Sequence, residues 1–313
     1  MGGVDAAVNE PVTTARFSGL YGHWYPHTRD LGAFYRMVVN QCHAVMLAMR
    51  AIRRHIPGAR LVQTEDLGVT YATPRLQYQA AHENERRWLS LDLLCGQVDC
   101  NHPLWRSLIE VGASRAALDA LREGEARPDI LGVNLYLTSE RYLDEDWPLY
   151  PPEFAGDNGR ERYSDVEAVR IHPAPGPLGP EARLAEAWER YRLPLAVTEA
   201  HHGCIEMIEC VRWLAEVWRG AEALCRRGAD VRAVTIWSMF GAMNWRSLLL
   251  RRDGAYEPGP FDARHDPPAP TRLAEAAAAL VGRGRIADPE AAAPGWWRRP
   301  ERVYPRFSRA SAA

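Results

Sequence analysis

Val4-Asp5-Ala6-Ala7-Val8-Asn9-Glu10-Pro11 is a short apolar run that ends in an amide, an acid and a proline. A second run, Leu195-Ala196-Val197-Thr198-Glu199, also closes on an acid. Runs of this kind read as buried parallel strands. Pro11 ends the first and biases Glu10 towards extended backbone. An acid at the carboxyl end of a parallel strand is where barrel enzymes place catalytic groups. Two such acids facing each other can cleave a glycosidic bond, one as proton donor and one as base or nucleophile.

Around these two runs the pattern alternates. Further strands are expected at Leu61–Thr64, Ile130–Tyr136 and Val231–Trp237, with the first run taken as Val4–Asn9. Between them, Leu31–His55 carries Phe34, Val38, Val45, Met49 and Ile52 at three-to-four spacing, the mark of a helix with one apolar face. Helices are also expected over Ala81–Leu94, Pro103–Arg122, Glu181–Arg192, Cys204–Arg227 and Thr271–Val281. Strand and helix in alternation give an α/β fold on a parallel sheet. Glu140–Pro180, rich in Pro, Gly and charge, reads as a long loop over the site. The stretch from Arg285, with Trp296-Trp297-Arg298-Arg299-Pro300, reads as a linker or docking segment with a solvated arginine cluster. The domain division expected is 1–282 for the α/β body and 283–313 for the tail.

Composition narrows the function. The 38 basic residues stand against 40 acidic ones, so no basic field for nucleic acid is expected. Every basic residue is arginine. Without lysine there is no amine for a Schiff base, a pyridoxal cofactor or a phosphate-binding loop of the GxxxxGK type. None of the six cysteines forms a CxxC pair, which argues against a zinc ribbon or a dithiol redox centre. No apolar run is long enough for a membrane span, and Met-Gly-Gly-Val-Asp does not resemble a secretory leader. The expectation is a cytoplasmic protein with reduced thiols, no cofactor and no metal. His201 and His202, with Glu65 and Asp66 at another strand end, raise a metal site as an alternative. No i, i+4 ligand pair supports it. The opposing reading puts one histidine towards the site and one towards the helices. His23 and His27 read as loop residues, and Trp213 and Trp218 as core.

Four motifs, in order, carry a resemblance. Asn9-Glu10-Pro11 is followed by Gly-His-Trp-Tyr-Pro (22–26) and a long apolar helix. Then come Leu-Gly-Val-Asn-Leu-Tyr (131–136), Ala-Val-Thr-Glu (196–199) and Ile-Trp-Ser-Met-Phe-Gly-Ala-Met-Asn-Trp (236–245). Together they resemble glycoside hydrolase family 1, the retaining β-glycosidases, over residues 1 to about 282. The resemblance implies a (β/α)8 TIM barrel, here incomplete, with strands 4–8 and their helices. It implies Glu10 as acid/base, Glu199 as nucleophile and Asn9 as the amide on the sugar 2-hydroxyl. Tyr136 would hydrogen-bond the nucleophile, and Trp237 would floor the sugar. Asn244 and Trp245 would complete the substrate-binding set.

The match departs in three places. Ala200-His201-His202-Gly203 follows the nucleophile position, where the family has Asn-Gly. Asn244 stands where the family has the glutamate that grips the sugar 4- and 6-hydroxyls, so glucose is not the expected sugar. The family's first three β/α units have no counterpart before residue 9. The chain is therefore expected to be a fragment, with completion by another polypeptide the alternative. Tyr256-Glu257-Pro258-Gly259, Phe261-Asp262 and Gly-Trp-Trp-Arg-Arg-Pro (295–300) resemble a divergent branch fused to a dTDP-4-dehydrorhamnose reductase-like domain. The expected partners are a carbohydrate or glycoside substrate and a fused or partner reductase. The competing reading is a catalytically impaired module that binds a sugar or nucleotide-sugar, or scaffolds that reductase.

Overall fold

The structure is a computed structural model, and it describes residues 4–5, 7–123, 126–203 and 206–303. In chain order the first elements are β1 (Val4–Asp5), α1 (Pro11–Ala15), α2 (Leu31–His55), β2 (Arg60–Asp66) and β3 (Thr70–Ala72). Next come α3 (Gln77–Arg86), α4 (Leu89–Leu94), α5 (Trp105–Glu110), α6 (Arg115–Arg122) and β4 (Ile130–Tyr136). They are followed by β5 (Arg141–Asp144), β6 (Ala155–Asp157), β7 (Arg162–Glu167), α7 (Pro180–Tyr191) and β8 (Leu195–His201). Last are α8 (Met207–Arg226), β9 (Val231–Ile236), β10 (Ala242–Met243), β11 (Tyr256–Glu257), β12 (Phe261–Asp262), β13 (Ala269–Pro270), α9 (Arg272–Arg283) and α10 (Pro289–Ala292).

The expected α/β alternation is present. β1, β2, β4, β8 and β9 form one sheet in that order, with β1–β2 and β2–β4 parallel. The strand expected over Val4–Asn9 pairs regularly only at Val4 and Asp5, then makes an isolated bridge from Asn9 to Thr64. β9 was expected to be buried. It is the last strand in the sheet order, and Arg232, Ala233 and Thr235 are exposed.

The chain divides into two compact units. The first comprises Met1–Leu67, Asn84–Asn134 and Ala187–Ala196. Its core is built on α2, whose Phe34, Val38, Val45 and Met49 are fully buried among Leu89, Leu93, Leu94, Leu108 and Leu118. Each such burial contributes about 1.5–3 kcal/mol. Asp30 starts α2 by accepting the Ala33 N–H, and Arg53, Arg54 and His55 sit in its last turn, where cations suit the carbonyl end. Asp92, buried in α4, is satisfied by Arg190, the Tyr191 hydroxyl at 2.7 Å and His102.

The second unit comprises Gly68–Glu83, Leu135–Glu186 and Val197–Ala313. Here the expected loop over Glu140–Pro180 is corrected. It contains β5, β6 and β7, which with β3 make a four-stranded sheet in the order β3-β5-β7-β6. Arg141-Tyr-Leu-Asp and Arg162-Tyr-Ser-Asp-Val-Glu are short strands whose polar composition hides their pairing. Glu140 then anchors the chain beyond them, accepting the Gly179 N–H beside the buried Arg183.

Residues 296–299 dock onto α8. Trp297 is buried, and its indole N–H donates to Glu216. The Trp296 backbone N–H donates to Glu209, which also pairs with Arg299, while Arg298 pairs with Glu216. The arginines expected as a solvated face are thus partly tied down. Trp213 is core as expected, and Trp218 is half-buried. The Cys204 expected at the start of the last long helix lies outside the described residues.

Candidate active site

The acid end lies in the first unit. Glu10 was expected in extended backbone; it has φ 45° and ψ 64°, the left-handed region that a non-glycine residue enters only when its surroundings hold it there. What holds it is the end of β2. The Glu10 N–H donates to the Thr64 carbonyl at 3.2 Å, and the Thr64 hydroxyl donates to Asn9 Oδ1 at 2.7 Å. Pro11 opens α1, where a missing N–H costs nothing, and the chain turns away from the sheet at this point. Asn134, buried in β4, donates from Nδ2 to Glu10 Oε1 at 2.6 Å and to Asn9 Oδ1 at 3.4 Å. Asn9 is exposed and Glu10 half-buried, so solvent reaches both.

Directly beneath this turn is Glu65, fully buried. Its carboxyl accepts the Val12 N–H at 3.0 Å and meets the Ser90 hydroxyl at 2.5 Å. Burial pushes its pKa up to about 8, winning over the opposing pull of Ser90, the Val12 N–H and Arg16. It is a neutral acid at neutral pH, and it pins the residue two positions beyond Glu10.

The other acid lies in the second unit. Glu199, half-buried near the end of β8, accepts a hydrogen bond from the Tyr136 hydroxyl on Oε2. The strand period puts His201 on the same face as Glu199 and His202 on the opposite one. His201 meets the Trp237 carbonyl through Nδ1 at 3.2 Å and Glu257 through Nε2 at 3.1 Å. Trp237 and Trp245 pack ring on ring, with centroids 4.9 Å apart. Asn244 is also in the left-handed region, φ 57°, and its Oδ1 accepts the Gly254 N–H at 2.8 Å. It therefore braces its own turn.

His202 turns the other way. Its Nε2 accepts the Trp296 indole N–H at 3.0 Å, and Trp297 packs against its ring. Burial, with His201 next to it, lowers its pKa to about 3, so it is neutral. The two histidines thus divide as the opposing reading expected. Among the described residues no three His, Cys, Asp or Glu side chains gather in a way that could hold a metal ion. No helix of the described residues is long and apolar enough to cross a membrane. His23 and His27 lie in the loop before α2, as expected.

Asn9, Glu10 and Asn134 therefore gather at one strand-end cluster, and Tyr136, Glu199, His201, Trp237 and Trp245 at another. Sequence reasoning gave no role to Asn134, although it sits in a quoted motif. It gave none to Glu257, and it weighed Glu65 only as a metal ligand. A strand-end acid inside an otherwise apolar run is the one signal that marks Glu65.

The sequence matches no protein-family model and no curated protein. Among solved structures the chain is similar to family 1 β-glucosidase from Thermotoga maritima, at 15% identity and a TM-score of 0.66. That likeness covers 90% of this chain and 63% of that one. It is likewise similar to β-glucosidase from the same organism in complex with deoxynojirimycin (15% identity, TM-score 0.68) and with azafagomine (16%, 0.68). These cover 90% of this chain and 63% and 64% of those chains. The chain thus spans a little under two thirds of the length of these neighbours. What the likeness establishes is the fold: α/β on a parallel sheet, arranged as in a family 1 glycosidase.

Proposed function

We propose that this chain carries the catalytic residues of a retaining β-glycosidase, a hydrolase of O-glycosidic bonds. The observation that carries the reading is Glu199 at the end of β8 with the Tyr136 hydroxyl on its carboxylate. A hydrogen bond donated to a carboxylate favours its charged form, which a nucleophile needs. In the proposed mechanism Glu199 attacks the anomeric carbon while Glu10 gives its proton to the departing glycosidic oxygen. A glycosyl–Glu199 ester results. Glu10, now a carboxylate, takes a proton from the water that attacks the same carbon and releases the sugar with retained configuration. Asn134, donating to Glu10 Oε1, supports the role by holding that carboxyl in one orientation. Asn9 would meet the sugar 2-hydroxyl, and Trp237 with Trp245 would offer an apolar floor. The barrel expected from the resemblance, strands 4–8 of eight, is part of this proposal.

The neighbours are β-glucosidases by name, yet Asn244, an amide where the resemblance expects a sugar-gripping carboxylate, already accepts the Gly254 N–H. This favours a glycone other than glucose. It also supports the second reading, a sugar- or nucleotide-sugar-binding module serving a reductase.

The deciding experiment offers a panel of aryl β-glycosides, and a 2-deoxy-2-fluoro glycoside as trap, to the full-length protein. Turnover and covalent mass gain on Glu199 are expected. Saturable sugar binding, with neither turnover nor trapping, would establish the second reading instead.

A further inference from the structure

We infer that His201 and Glu257 form a positioning pair: Glu257 holds a doubly protonated His201 ring between Tyr136 and Trp237, and so keeps the Tyr136 hydroxyl on Glu199. The inference rests on the proposed role of Glu199 and goes beyond it, since neither His201 nor Glu257 touches that carboxylate through any contact used above.

The starting point is hydrogen-bond valence. His201 Nδ1 faces the Trp237 carbonyl at 3.2 Å, and Nε2 faces Glu257 Oε2 at 3.1 Å. A carbonyl and a carboxylate are both acceptors, whereas a neutral imidazole carries one N–H. Both contacts are satisfied together only when a second proton lies between Nε2 and Oε2. The other oxygen of Glu257, Oε1, accepts the Arg246 N–H at 2.8 Å, so the shared proton belongs to the Nε2–Oε2 contact. Glu257 is 2% exposed, so losing that proton would strand a buried carboxylate against a lone pair.

The ring so fixed has aromatic neighbours on two sides. Tyr136 lies 5.3 Å away, tilted by 65°, and Trp237 lies 4.8 Å away at 81°. Edge-on contacts of this kind are directional, and a cationic ring strengthens them. Trp245 backs Trp237 in turn. The other charged or titratable groups around the pair are few. Glu199 shares the strand face, and His202 is neutral on the opposite face. The Arg246 guanidinium is paired with Asp253 at 3.1 Å.

The test is nuclear magnetic resonance at neutral pH, with 15N in the histidine rings and 13C at the tyrosine ring carbon bearing the hydroxyl. His201→Gln and Tyr136→Phe assign the signals. In the wild type both His201 nitrogens should show the protonated shift. Glu257→Gln should remove it from Nε2, and should move the Tyr136 carbon in the direction that Glu199→Gln moves it. His201→Arg, which keeps a cation with several donors, should restore the Tyr136 shift that His201→Gln loses. An unprotonated nitrogen in the wild-type ring overturns the pair without any variant having to fold. So does a Tyr136 carbon that ignores Glu257→Gln. A Tyr136 carbon that ignores Glu199→Gln counts against the proposed site instead, and the histidine nitrogens are read independently of it.

Discussion

The turn that carries Glu10 and the strand end that carries Glu199 are held by different means. At Glu10 the backbone does the holding: a left-handed residue, a carbonyl on its N–H, and a neutral buried acid on the N–H two residues on. At Glu199 a side chain does it: the Tyr136 hydroxyl on its carboxylate, with His201 and Trp237 packed around that phenol. In the proposed mechanism the proton donor is thus fixed through its main chain and one amide, and the nucleophile through a phenol. The two ends should therefore fail differently.

The largest contrast concerns catalysis. Glu199→Ala should abolish hydrolysis of every glycoside. Glu10→Ala should cost roughly 10²–10⁴-fold for poor leaving groups and far less for activated aryl ones, which need no proton. Measuring kcat/KM against leaving-group acidity for both variants checks this, and parallel losses would break the comparison.

The second contrast is in the response of stability to pH. Glu65 has a folded pKa of about 8, above its unfolded value, so the native state binds more protons between the two. Its stabilisation is full below pH ~4.5 and is lost as pH rises through 8, by about 5 kcal/mol at most. Glu65→Gln should flatten that alkaline fall in denaturant titrations.

In the segment docked on α8, Trp297→Ala should cost about 3–5 kcal/mol, because a buried indole leaves a cavity and Glu216 loses one of its donors. Urea melts would show it.

His202 gives an effect of similar size to that of Glu65, spread over several pH units and with the opposite sign. Its folded pKa of about 3 lies below the ordinary histidine value, so the native state binds fewer protons between the two. Stability is full above pH ~6.5 and falls on acidification, by on the order of 1.4 kcal/mol per pH unit until about 3. Tryptophan fluorescence from Trp296 and Trp297 should report undocking over that range, and His202→Gln should blunt it. If both pH limbs moved with either variant, the two ends would not be separable as described.

Much of this was legible beforehand. Leu31–His55 was readable to the residue, because an apolar stripe sustained at helical spacing leaves little choice. β2, β4 and β8 were readable as apolar runs, each extending at most a few residues past its expected limits. The sheet inside 140–180 was not, since strands of three to six residues with charged alternation look like loop until partners are known. Within the site, Glu10, Glu199 and Tyr136 stood out as strand-end residues in motifs. Glu65, Asn134 and Glu257 did not, because a buried polar group gets its meaning from its partner. Those partners lie far off in sequence: Val12 for Glu65, Glu10 for Asn134 and His201 for Glu257.

The sequence by itself determined the α/β alternation, the long helix and the two acids at strand ends, because periodicity and strand-end position are local properties. Tertiary structure alone decided that Glu10 sits in left-handed backbone, that Glu65 is a neutral clamp, and that His201 and His202 part company across β8. It also decided that the tryptophan-rich tail is docked on α8. Burial and hydrogen-bond partnership set each of these, and both are fixed only when distant segments of chain meet.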